Sequence, residues 1–138
     1  MAFAETRASG SRRILNGICP VEITLAEAVQ CGDCLGITSA TWVRSASATV
    51  EQPLLIASVD APSGALIKAY PMAIVEVTTT ATNKSTLGEQ VGLTDTGEYQ
   101  VQASGLPDVG YSCFVSADTL KAVLMVFPMA PQLTTIRE

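Results

Sequence analysis

Cys31 and Cys34 stand in the stretch AVQCGDCLGI, residues 28 to 37, at the C-x-x-C spacing used by thiol oxidoreductases and by half of many zinc sites. A redox C-x-x-C relies on a helix N-terminus to lower the pKa of its first thiol. Here a helix would end at Cys31, and β-type sequence follows Cys34, so the polarity is wrong for that chemistry. Zinc would have to be held by Cys19, Cys31, Cys34 and Cys113, which form one close pair and two distant singles in a chain without histidine. The plainer reading is a Gly32-Asp33 turn flanked by small apolar thiols.

The triplet Asp95-Thr96-Gly97 is the one that carries the catalytic aspartate of retroviral-type aspartic proteases, whose mechanism needs two such aspartates sharing a proton. Glu98 follows at once and EYQVQ continues as a strand, so a hairpin turn explains the triplet at lower cost. The absence of histidine removes His-based triads, and no glycine-rich phosphate loop is present. Lys68, Lys84 and Lys121 read as solvated, the NKS at 83 to 85 as a polar loop, and Trp42 as core. The expectation is therefore a protein that is not an enzyme, with no catalytic residue, no cofactor and no metal.

The elements around these residues are set by a chain of 138 residues, the size of one domain with a core of its own. Apolar residues make up 48% and charged residues 15%, so part of the weakly charged surface is expected to be covered by a partner. Arg7, Arg12 and Arg13 crowd the first thirteen positions against one acid, Glu5, which leaves a body of about -7 out of the total of -5. Such a body repels phosphate backbones, and seven scattered aromatics offer no stacking platform, so no nucleic acid is expected as a partner. No apolar run approaches the roughly 20 residues of a membrane helix, so no membrane is expected either. SRRIL at 11 to 15 and ILNGIC at 14 to 19 are poor export and lipoprotein signals, which suggests cytoplasmic synthesis with reduced cysteines.

Residues 1–17 read as an N-terminal arm, 18–128 as a β domain and 129–138 as a C-terminal tail with two prolines at 128 and 131 near its start. Within the domain, short β-type runs alternate with turn residues, the pattern of an all-β single-domain barrel or sandwich. The runs are 34–37, 40–46, 53–59, 65–70, 72–77, 89–94, 98–103, 110–116 and 120–127. Residues 24–32 fit a capped helix and residues 21–29 an edge strand, with strand preferred. DAPSG at 60–64 and DTG at 95–97 are tight turns, and Pro71 should split the run from 65 to 77 because it cannot donate to a ladder. Tyr99 and Val101 share one face of their strand. AVLMVF at 122–127 lacks alternation and reads as buried on both sides.

Four segments in order carry a family resemblance: VQCGDCLGI, PLLIASVDAPSGALIKAYPMAIVEV, TLGEQVGLTDTGEYQV and DVGYSCFVSADTLKAVLMVF. Together, over roughly residues 28 to 127, they resemble the capsid cement, or head decoration, proteins of tailed bacteriophages. The resemblance implies a compact β barrel-like domain on the outer surface of the virion. It would group as a homotrimer, bind the major capsid protein at junctions between coat subunits, and stabilise the shell. The basic arm, the cysteines and the insertion SATWVRSASATVEQ depart from the family pattern. The arm is expected to be disordered until it meets a neighbouring subunit through Phe3, Arg7, Arg12, Arg13, Ile14 and Leu15, since guanidinium groups pair bidentately with carboxylates. The alternative is a β-type ligand-binding module, such as a carbohydrate-binding domain on a virion or cell surface, and a third reading is a thiol or metal protein.

Overall fold

The computed structural model describes residues 5, 10–45, 53–79, 90–94, 97–101, 108–115 and 121–128. They form an all-β domain of eleven strands: β1 (Arg13–Ile18), β2 (Val21–Thr24), β3 (Cys34–Thr38), β4 (Thr41–Arg44), β5 (Leu55–Ala57), β6 (Leu66–Tyr70), β7 (Met72–Thr78), β8 (Gln90–Leu93), β9 (Tyr99–Val101), β10 (Asp108–Val115) and β11 (Lys121–Val126). Two antiparallel sheets result, one of six strands in the order β1-β7-β11-β10-β8-β9 and one of five in the order β2-β6-β5-β3-β4. Among the described residues there is no helix, and 24–32 runs as extended chain with single bridges at Leu25 and Val29.

Nine of the strands fall where the β-type runs lie. β2 lies within the edge strand preferred for 21–29, whereas β1 falls in the stretch read as an arm, whose expected end at residue 17 cuts through the strand. Periodicity conceals β1 because a bulge between Ile14 and Asn16 resets its alternation against β7.

The two sheets are joined at a corner built from two prolines. β1 pairs with β7 in one sheet, with Ile18 opposite Met72, and β2 pairs with β6 in the other, with Val21 opposite Ala69. Both ribbons change sheets together at Cys19-Pro20 and Pro71, where the ladder needs no donor. Cys19 turns the chain there at φ 54°. Gly17 lies just before the corner, and a Cβ on it would overlap the far end of the Tyr70 side chain, so any larger residue there would have to displace that ring.

The five-stranded sheet curls into a half-barrel. Leu25, just beyond β2, forms a parallel bridge to Trp42 on β4, and the Ala26 amide donates to the Trp42 carbonyl at 2.9 Å. The interior of the curl holds Ile23, Leu25, Val29, Leu35, Leu55, Ala57, Ile67 and Ala69, with Trp42 packed at its margin. The outer side of the same sheet sends Cys34 and Ile56 into a second core against Val75, Val77, Val91, Leu93, Tyr99, Val109, Ala122, Leu124 and Val126 of the six-stranded sheet. β5 is thus buried on both faces. β11 is not: Ala122, Leu124 and Val126 point inward while Met125 is 45% exposed, which corrects the two-sided burial expected of it. A strand is buried twice only when it lies between two layers, and β11 has a layer on one side.

Candidate functional site

The residues expected to meet a partner divide sharply. Phe3 and Arg7 lie outside the described residues. Arg12 points inward, with 2% of its side chain exposed, so its expected role as a surface contact is corrected. Ile14 is half-buried against the inter-sheet core. Leu15 is exposed, and Arg13 is exposed and 3.5 Å from Glu76.

Arg12 occupies a cluster that ties four separate parts of the chain together. Its Nε and one Nη2–H donate to the two carboxylate oxygens of Glu5, a bidentate fork with the second bond at 2.7 Å. Nη1 donates to Asp33 Oδ1 at 2.6 Å, Nη2 donates to the Gly97 carbonyl at 2.8 Å, and the guanidinium stands 4.8 Å from the Tyr99 ring centroid. Glu5 Oε1 also accepts from the Tyr99 amide at 2.8 Å, while Asp33 Oδ2 accepts from the Gln30 amide at 2.8 Å. Burial by itself pulls the Arg12 pKa down, but the Glu5 hydrogen bonds and the charges of Glu5 and Asp33 outweigh it and hold the group above its ordinary value.

Glu5 closes the six-stranded sheet as well as the ion pair. Its amide donates to the Tyr99 carbonyl at 3.0 Å, and it forms an antiparallel bridge to Thr79 just past β7. A single residue thereby links the β7 end of the sheet to the β9 edge. The Gly32-Asp33 turn is therefore more than a spacer: Gly32 takes φ 82° where Arg12 packs over it, and Asp33 anchors the cation. Sequence reasoning missed this set because Glu5 and Tyr99 are 94 residues apart. Its local trace is an Asp in a turn and an Arg in a chain sparing of charge.

The cysteines take different surroundings. Cys34 is fully buried, its Sγ 3.5 Å from the Tyr99 hydroxyl, which itself donates to the Gly32 carbonyl at 2.6 Å. Burial pushes the Cys34 thiol up to about 12 and raises Tyr99 and Cys31 as well. A thiol so held is neutral, the reverse of the stabilised thiolate that redox chemistry uses. Cys19 and Cys113 are exposed. Of the DTG triplet, Asp95 and Thr96 lie outside the described residues, as does NKS, while Gly97 turns at φ 85° and lends its carbonyl to Arg12.

A surface feature remains on the outer side of the six-stranded sheet. Tyr111 lies opposite Met125, and Met125 opposite Ile74, so the three side chains form a row across β10, β11 and β7. Tyr111 and Met125 are about half exposed, Ile18 on β1 likewise, and Ile74, Met72 and Val123 partly.

No protein-family model matches the chain, and no curated protein matches its sequence. Among solved structures it is similar to the N base of the head fiber gp8.5 of bacteriophage phi29, with a TM-score of 0.51 and 16% identity, over 78% of this chain and 92% of that one. At that identity the likeness is one of fold, and it is to a head fiber protein rather than a cement protein.

Proposed function

We propose that this chain is a structural protein of a bacteriophage head, a decoration or cement protein that docks on the outside of the assembled capsid where major coat subunits meet. The observation that carries the reading is the fold shared with a phage head fiber base over most of both chains. The order of β segments in the sequence points the same way, and so does an exposed apolar sheet face on a protein with few charges. In this reading the copies group as trimers around local three-fold positions. A protein that binds only the assembled junction stabilises it by linkage, because its binding free energy is lost when the shell comes apart. A carbohydrate-binding reading has less support, since Tyr99 is buried, Trp42 and Tyr70 are half-buried, and Tyr111 is the exposed ring among the described residues.

The test is co-sedimentation of the purified protein with expanded empty capsids of its own virus, beside free coat subunits. Saturable binding to capsids and none to subunits is the expected result, with a raised temperature of capsid disruption. A protein that ignores capsids would refute the proposal.

A further inference from the structure

We propose that Glu5 is a latch on the β9 edge of the six-stranded sheet, and that it opens to water while all eleven strands stay paired. The latch is a property of the domain itself and stands or falls apart from the head-associated reading.

Glu5 satisfies an edge that the ladders leave open. β9 is the last strand of its sheet, with Tyr99 opposite Leu93 of β8 on its inner side. On the outer side the Glu5 amide donates to the Tyr99 carbonyl at 3.0 Å, and the Tyr99 amide donates to Glu5 Oε1 at 2.8 Å. One residue thus meets both backbone groups of Tyr99 and bridges Thr79 as well. Glu5 belongs to no strand of either sheet, so its departure removes no rung from any ladder.

The forces that hold the latch are polar. The described residues ahead of Ile14 are Glu5, Gly10, Ser11, Arg12 and Arg13, and none of them belongs to either apolar core. Their release exposes little apolar surface, and the surface exposed sets how strongly an opening responds to urea. The cluster also buries a surplus of charge: two carboxylates, Glu5 and Asp33, face one guanidinium, a balance of -1. Cys34 and Tyr99 beside them are raised by burial and hold their protons. Water solvates each of these ions better than the interior does. Water that enters where Glu5 leaves reaches Arg12 and Asp33 too, so the seal opens in one step. Gly10 supplies a pivot ahead of β1, exposed at φ 77° with nothing within 4 Å of where a Cβ would stand. Opening uncovers the N–H and C=O of Tyr99 as a free strand edge, a surface that another strand can pair with.

The experiment is native-state hydrogen exchange of the full-length protein in urea below its unfolding transition, read at the amides of Glu5 and Tyr99 and at those of β7 and β11. Glu5 and Tyr99 should exchange about 100-fold faster than the most protected amides of β7 and β11, at a rate that urea hardly changes. Ile56→Val trims the inter-sheet core and should speed the β7 and β11 amides about 5-fold while leaving Glu5 and Tyr99 within about twofold of wild type. Glu5→Gln keeps the shape and removes the charge, and should speed the Tyr99 amide about 10-fold. Glu5 and Tyr99 amides that follow urea and Ile56→Val as β7 and β11 do would overturn the latch, because that end would then open only with the whole domain. Unchanged exchange at Tyr99 in folded Glu5→Gln would overturn the carboxylate as what holds it. Circular dichroism identifies a Glu5→Gln that fails to fold, in which case the wild-type urea series and Ile56→Val decide.

Discussion

The two cores of this domain are closed by different means. The inter-sheet core is sealed at one end by ions: Glu5, Arg12 and Asp33 are buried, hydrogen-bonded to one another and packed on Tyr99. The interior of the curled sheet is apolar and is closed by backbone bonds, such as Leu25 N–H to the Ala65 carbonyl, Gly64 N–H to the Leu25 carbonyl, and Val29 to Ala61 in both directions, at 2.9 to 3.1 Å. The difference lies in the cost of losing one part. Buried charges are costly alone and tolerable together, so the ionic seal fails as a unit. An apolar interior loses stability in proportion to the atoms removed and the cavity left.

Breaking the ionic seal should have the largest effect. Arg12→Ala leaves two carboxylates buried without their cation and should lower the free energy of unfolding by about 3–5 kcal/mol, measured by urea denaturation. Arg12→Lys keeps the charge but loses the fork, and should recover only part of the loss. If Arg12→Ala unfolds at the wild-type midpoint, the cluster contributes nothing to the seal.

Leu35→Ala, in the apolar interior, should cost about 3 kcal/mol. It also sharpens the comparison through location. Native-state hydrogen exchange should show amides of β3, β5 and β6 opening more readily than those of β7 and β11. Equal acceleration in both sheets would mean that the two cores open as one.

The smallest effect is one of pH, and it belongs to Cys34 in the inter-sheet core. Its folded pKa of about 12 lies above the roughly 8.5 of an unfolded cysteine, so the folded state holds the proton more tightly. The associated stability is intact below pH ~8.5 and is lost as pH rises toward 12, by at most about 1.4 kcal/mol per pH unit. Cys34→Ala should flatten the decline between pH 8.5 and 10, read from denaturant unfolding at each pH. The same burial predicts that a thiol reagent at pH 8 labels Cys19 and Cys113 in the native protein and Cys34 only after unfolding.

The sequence by itself determined the β class, the position of ten strands and the break at Pro71, because alternation, turn residues and a missing amide donor are local properties. It also pointed to the inward face of Tyr99, which the structure buries completely. Only the tertiary structure decided that Arg13–Ile18 joins the sheet, since a bulge hides its period and its partner lies some sixty residues away. It decided which strand is buried twice: an apolar run such as AVLMVF reads alike with one layer beside it or two, and the second layer covers β5 instead. It also turned Arg12 from a surface cation into a buried one. A guanidinium can enter a core only where carboxylates converge, and Glu5 and Asp33 are brought to one point by the folding of both sheets.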